Sequence, residues 1–274
     1  MPTPVARFTA ESLPVEVYAG EADLGAAAAE RAAATIRDAV DRRGAARVVF
    51  ATGNSQYAFT DALREQKIPW DRVTVFHMDE YVGIAADHPA SFRRWIKERI
   101  AAPFAPAAVH YIDGDAAGPE AECARYEAEL RALPLDLVCM GVGENGHLAF
   151  NEPHQARFDD DRWARVITLD LRSREQQVGE GHFATVDEVP ATAISLTVPA
   201  LLAAGAVQVC VPERRKAAAI AATLNDPVSP ACPATILRRT PHATLLLDTD
   251  SAGAIDLPRI DLPRIDLPRI DLPR

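Results

Sequence analysis

The chain is predicted to fold as one doubly wound α/β domain, a mainly parallel sheet with helices on both faces, because three features coincide. Its strand-like runs are continuously apolar, segments of helical character separate them, and no Pro/Gly/Ser-rich linker interrupts the series. A strand covered by helices on both sides must be apolar at every position, whereas a strand with one wet face alternates.

The elements follow in order. "ARVVFAT" (46–52) is a strand before a helical "SQYAFTDALREQ" (55–66), and "RVTVFHMD" (72–79) is a strand before the helical "SFRRWIKERIAAPF" (91–104). "EAECARYEAELRAL" (120–133) reads as a helix opening into the strand "LDLVCMGV" (135–142). "ARVITLDL" (164–171), "AVQVCVP" (206–212) and "HATLLLD" (242–248) are further strands, with the helix "ERRKAAAIAATL" (213–224) after the second. Residues 255–274 are four copies of IDLPR. Proline at every fifth position removes backbone donors and forbids a helix, so the domain is expected to span 1–254 and the repeat to form an extended or disordered tail.

Composition narrows the function classes. With 274 residues and 48% hydrophobic content the chain can bury a substantial core. A formal charge of −10, from 39 acidic and 29 basic residues, argues against a nucleic-acid surface, so an anionic ligand must be held by a few placed groups. The N-terminal segment has no apolar signal core, and no run reaches the roughly 18 uncharged apolar residues of a membrane span. A cytoplasmic protein without a membrane partner is expected, and a homo-oligomer is compatible with the sequence. Cys123, Cys139, Cys210 and Cys232 lack metal-type spacing and read as buried structural thiols.

Sheets of this kind bind ligands beyond the carboxyl ends of their strands, which singles out three stretches. After the first strand come Thr52, Gly53, Asn54 and Ser55. Glycine and free N–H groups there suit a phosphate, although Ser and Asn are also ordinary helix caps. After the second comes Asp79, a carboxylate facing the cleft that either serves as a general base or caps its loop. After "LVCM", a turn containing Gly141, Gly143 and Gly146 puts His147 at the mouth, with Glu152 as the nearest carboxylate able to fix its tautomer. Five residues is not a same-face helical spacing, so a His147–Glu152 pair requires a turn, for which Asn151 and Pro153 are suited.

"GVGENGHLAFNEP", "HMDEYVG" and "ATGNS", with "RRKA" and "CPATIL", resemble the glucosamine-6-phosphate deaminase (isomerase) family over most of residues 20–250. The sister 6-phosphogluconolactonases share that Rossmann-like fold but usually carry DER and GHTASLFP where this chain has "DEY" and "GHLAFNEP". The resemblance implies a sugar-phosphate substrate and no metal or organic cofactor. It further implies that His147 relays protons to open the sugar ring with Glu152 orienting it, that Asp79 deprotonates C2, and that the Gly53–Ser55 amides and Lys216 hold the phosphate.

Three departures accompany it. Asn145 stands where many members have Asp, and an amide can orient but not relay a proton. "HQARFDDDRWARV" replaces a Gly/Ser-rich loop and an Arg/Thr stretch, so allosteric control located there does not carry over. "REQQVGEGHF" (174–183) replaces an Arg before paired phenylalanines, which brings His182 or Arg174 to the phosphate. Lactone hydrolysis and a sugar-phosphate-sensing regulator are the alternatives. The regulator would need a DNA-reading element, and no helix-turn-helix or basic segment precedes residue 40.

Overall fold

A computed structural model describes residues 2–257, so the IDLPR repeat lies almost wholly outside the described residues. The chain opens with an antiparallel hairpin, β1 (Ala6–Ala10) and β2 (Leu13–Tyr18), and a long helix α1 (Glu21–Arg43). Next come β3 (Ala46–Phe50), α2 (Tyr57–Leu63), β4 (Val73–His77) and a short β5 (Asp79–Tyr81). Helix α3 (Phe92–Ile96) passes through one wider turn, Lys97–Ala101, into α4 (Ala102–Phe104). Then follow β6 (Ala108–His110), α5 (Pro119–Arg131), β7 (Leu137–Met140), β8 (Ala164–Thr168), α6 (Leu171–Gly179) and β9 (Thr192–Leu196). The chain closes with α7 (Val198–Leu201), β10 (Ala206–Val211), α8 (Ala217–Asn225) and β11 (Ala243–Asp248).

The main sheet has eight strands in the order β1-β2-β11-β10-β7-β3-β4-β6, and every pairing except β1–β2 is parallel. Its strands are apolar on both faces because both faces are covered. Val48 and Phe50 pack with Leu24, Ile36 and Leu63 of α1 and α2, while Val49 packs with Tyr126 and Leu130 of α5. Helix α1 lies close to its neighbours because its buried face is mostly alanine, and Gly25 abuts the backbone of Ala58.

Strands run outward in opposite directions from the adjacent pair β3 and β7, through β4 and β6 on one side and β10 and β11 on the other. That pair is the topological switch point, where the loops leaving the two strands part and a cleft opens at their carboxyl ends.

Two expectations are corrected. The run 164–171 is not part of the parallel sheet; as β8 it joins β9 and β5 in a separate three-stranded antiparallel sheet. The run 72–79 is not one strand either. Its main-sheet part ends at His77, and Asp79–Tyr81 pairs with Ala193–Ser195. A local apolar pattern cannot report either fact, since the pairing partners lie far along the chain, Leu196 for Ala164 and Ser195 for Asp79. The hairpin and α1 were not among the elements read from the sequence. All four cysteines are buried and free, with Cys139 and Cys210 inside strands.

Candidate active site

The cleft at the switch point has a cavity volume of about 90 Å³ and is lined by the loops after β3, β4, β7 and β10 together with α6 and the segment after it. Ten residues were named as candidates from sequence. Thr52, Gly53, Asn54, Ser55, Asp79, His147, His182 and Lys216 line this cleft, and Asn145 and Glu152 stand directly behind His147. Nothing caps the turn at Asn54–Gln56 or the start of α2 through a side chain, so Asn54 and Ser55 are not serving as helix caps. Their side chains are turned toward the cleft, with Asn54 Nδ2 3.5 Å from the Glu180 carbonyl.

Asp79 is held by its backbone. Its carbonyl accepts from His77 Nδ1 at 3.0 Å, while His77 Nε2 accepts the Ile112 amide at 2.9 Å, which defines a neutral imidazole with its proton on Nδ1. Full burial pushes His77 down to about 3, so it stays neutral at any working pH. Among the described residues nothing hydrogen-bonds the Asp79 carboxyl, which is 7% exposed. Burial, with a smaller effect of the neighbouring Glu80 charge, raises it to about 8. Glu80 itself points away from the cleft. It accepts the Tyr81, Phe92 and Arg93 amides and the Ser91 hydroxyl, anchoring the start of α3.

His147 and Glu152 do share a turn. Asn151 donates to the carbonyls of Leu148 and Leu196, both at 2.7 Å, and this brings the chain back so that Glu152 Oε2 lies 3.6 Å from His147 Nδ1. Burial alone would raise Glu152, but the imidazole, Ser173 and Asn145 together hold it below the usual glutamate range. Asn145 braces both partners: its Oδ1 accepts the His147 amide at 3.0 Å and its Nδ2 donates to Glu152 at 2.8 Å. The imidazole lies flat on the backbone of Gly143, where a Cβ would come 2.1 Å from Nε2. Only glycine admits the ring in that position.

At the far end of the cleft, Lys216 follows β10 in the short turn Arg214–Lys216. It is 4% exposed, and among the described residues its ammonium makes no hydrogen bond or ion pair, which is costly for a buried charge in the absence of an anion. Burial lowers its pKa, opposed chiefly by Glu180. His182 lines the cleft, whereas Arg174 turns away and donates to the Val186 carbonyl.

Sequence reasoning missed Ser173, Arg215 and Glu180. Ser173 Oγ lies 3.4 Å from His147 Nδ1, and Arg215 and Glu180 line the cleft. Arg215 adjoins Lys216 and was within sight of the motif; the other two belong to α6 and its end, where no local pattern indicates a role. Among the described residues no cluster of three or more His, Cys, Asp or Glu side chains could hold a metal ion, and no helix is long and apolar enough to cross a membrane.

Comparison with known proteins agrees with the geometry. The family model described as glucosamine-6-phosphate isomerases/6-phosphogluconolactonase matches residues 19–246. A glucosamine-6-phosphate deaminase of Exiguobacterium sibiricum is 33% identical over 207 residues, 75% of this chain and 79% of that protein. The solved structure of a monomeric glucosamine-6-phosphate deaminase aligns with a TM-score of 0.79 at 25% identity, covering 88% of this chain and 99% of that one. A 6-phosphogluconolactonase from Shewanella baltica shares the fold with a TM-score of 0.73 at 18% identity, covering 88% and 99%. The chain therefore belongs to the glucosamine-6-phosphate isomerase/6-phosphogluconolactonase family.

Proposed function

We propose that this protein converts glucosamine 6-phosphate and water to fructose 6-phosphate and ammonia. The observation that carries the reading is the unpartnered Asp79 carboxyl set in the same cleft as the His147–Glu152 pair. An aldose-to-ketose shift needs a base beside C2 and a separate group that exchanges protons at the ring oxygen. His147, oriented by Glu152, relays the protons that open the ring. Asp79 takes the proton from C2 to give an enolamine, and protonation at C1 leaves an imine at C2. Water adds to the imine, ammonia departs, and the ketose remains. The phosphate is held by the Gly53–Ser55 amides, Lys216 and His182. Lactone hydrolysis would require His147 to activate water but would leave a buried, proton-accepting Asp79 without a task.

The direct test is coupled detection of ammonia and fructose 6-phosphate from glucosamine 6-phosphate, with 6-phosphogluconolactone supplied in parallel. Faster consumption of the lactone than of the amino sugar would reverse the assignment. Lys216→Ala is expected to raise KM for the phosphorylated sugar roughly 10- to 100-fold, the worth of a charge-assisted hydrogen bond. An equal loss with free glucosamine would make the lysine structural. Gly143→Ala is expected to push the His147 ring off its seat and lower kcat by about 100-fold, since small misplacements of a catalytic group are costly. Unchanged turnover would show that the ring position is not critical.

A further inference from the structure

The phosphate end of the cleft already contains an anion belonging to the protein. Glu180 Oε1 accepts from Arg215 Nη1 and from Gln176 Nε2, each at 2.8 Å, and its Oε2 lies 3.5 Å from His182 Nε2. The carbonyl of the same residue faces Asn54 Nδ2, so Glu180 sits between the loop after β3 and the cations that follow β10. Its side chain is 8% exposed, yet the carboxylate is ionised, because His182, Gln176, Arg215 and Lys216 outweigh burial and hold it at about 2.

Arg215 is fully engaged. Besides Glu180 it pairs with Glu213 at 2.6 Å and stands 3.5 Å from Glu144. Three carboxylates thus surround one guanidinium, while among the described residues the neighbouring Lys216 has no ion pair. A phosphate dianion entering this space meets a carboxylate at close range, and like charges juxtaposed in a partly desolvated pocket repel. One must leave. Glu180 is the one placed to: it lies just beyond α6, and a change of its side-chain rotamer, with the backbone unmoved, releases Arg215.

We propose that Glu180 is an internal counter-anion of the phosphate subsite, displaced from Arg215 when the phosphate of the substrate binds, and that it thereby sets the selectivity of this site for phosphorylated sugars. This deepens the reading of the cleft as a sugar-phosphate site and rests on it. A dianion gains Arg215, Lys216 and His182 together and can drive the exchange. An uncharged hydroxyl at the same carbon has no charge with which to displace the carboxylate, so the empty enzyme keeps the subsite closed to it.

The test is titration of the full-length protein with inorganic phosphate by calorimetry, for wild type, Glu180→Gln and Glu180→Asp, with thermal melting to check folding. Glu180→Gln keeps the side-chain size but removes the competing charge, and phosphate is expected to bind about tenfold more tightly. Glu180→Asp, whose shorter carboxylate reaches Arg215 less well, is expected to fall between, and it carries the test if Glu180→Gln does not fold. Weaker or unchanged phosphate binding in the variants would overturn the proposal, because a residue that merely orients Arg215 gives that sign. If that happens while wild type still releases ammonia from glucosamine 6-phosphate, the counter-anion role alone falls. Absence of phosphate binding by all three proteins, with no ammonia release, overturns the sugar-phosphate reading as well.

Discussion

Asp79→Asn is expected to lower kcat by roughly 10²- to 10⁴-fold, the range for loss of a general base, with little change in substrate affinity. Exchange of the C2 hydrogen with solvent deuterium is expected to fall in parallel; exchange at the wild-type rate would remove Asp79 from the step. The carboxyl is raised to about 8 in the empty enzyme and must be ionised to accept a proton, so kcat/KM is expected to climb with pH through about 8. An ammonium on C2 of the bound sugar favours the ionised form, so the acid limb of kcat is expected at lower pH than that of kcat/KM. The same shift affects stability. A carboxyl whose pKa is raised by folding binds its proton more tightly in the folded state, so its contribution is present below the unfolded value of about 4 and is lost as pH rises through about 8. Asp79→Asn cannot ionise and is therefore expected to melt higher than wild type at pH 8 to 9. A lower melting temperature there would mean that Asp79 is stabilised by contacts its burial does not reveal.

Glu152→Gln is expected to slow turnover on the closed-ring sugar about 100-fold, because the amide keeps the size of the side chain but removes the counter-charge 3.6 Å from His147 Nδ1. Glu152 is fully buried and held in its ionised form, so little of its effect can be replaced by solvent. Ring opening and C2 deprotonation are separate steps. An open-chain substrate analogue is therefore expected to recover most of the Glu152→Gln loss and none of the Asp79→Asn loss. Equal impairment of Glu152→Gln on open and closed forms would assign the "GENGHLAFNEP" stretch to shaping the cleft instead of moving protons.

The parts of this site that were legible in the sequence are those carried by short range. Gly143, His147 and Glu152 occur within ten positions, and once Asn151 is seen as a turn former the pairing follows from the chain's own reach. The same holds for Thr52–Ser55 and Lys216, each directly after an apolar strand, because a parallel strand delivers whatever follows it to the carboxyl edge of the sheet. Even there the sequence left two readings for Asn54 and Ser55, and the structure removes the capping one because no side chain caps these turns.

By itself the sequence determined the class of the fold and the edge at which the chemistry sits, because continuous apolar runs require cover on both faces and the loops after them have one side on which to emerge. The tertiary structure alone decided that 164–168 leaves the main sheet for a small antiparallel one, that Asp79 is anchored through His77, and that Ser173 reaches His147 from α6. It alone brought Glu180 to Arg215 across 35 positions of chain. The physical reason is the same in each case: pairing, burial and charge balance are set by which distant segments meet, and no local pattern of residues encodes the meeting.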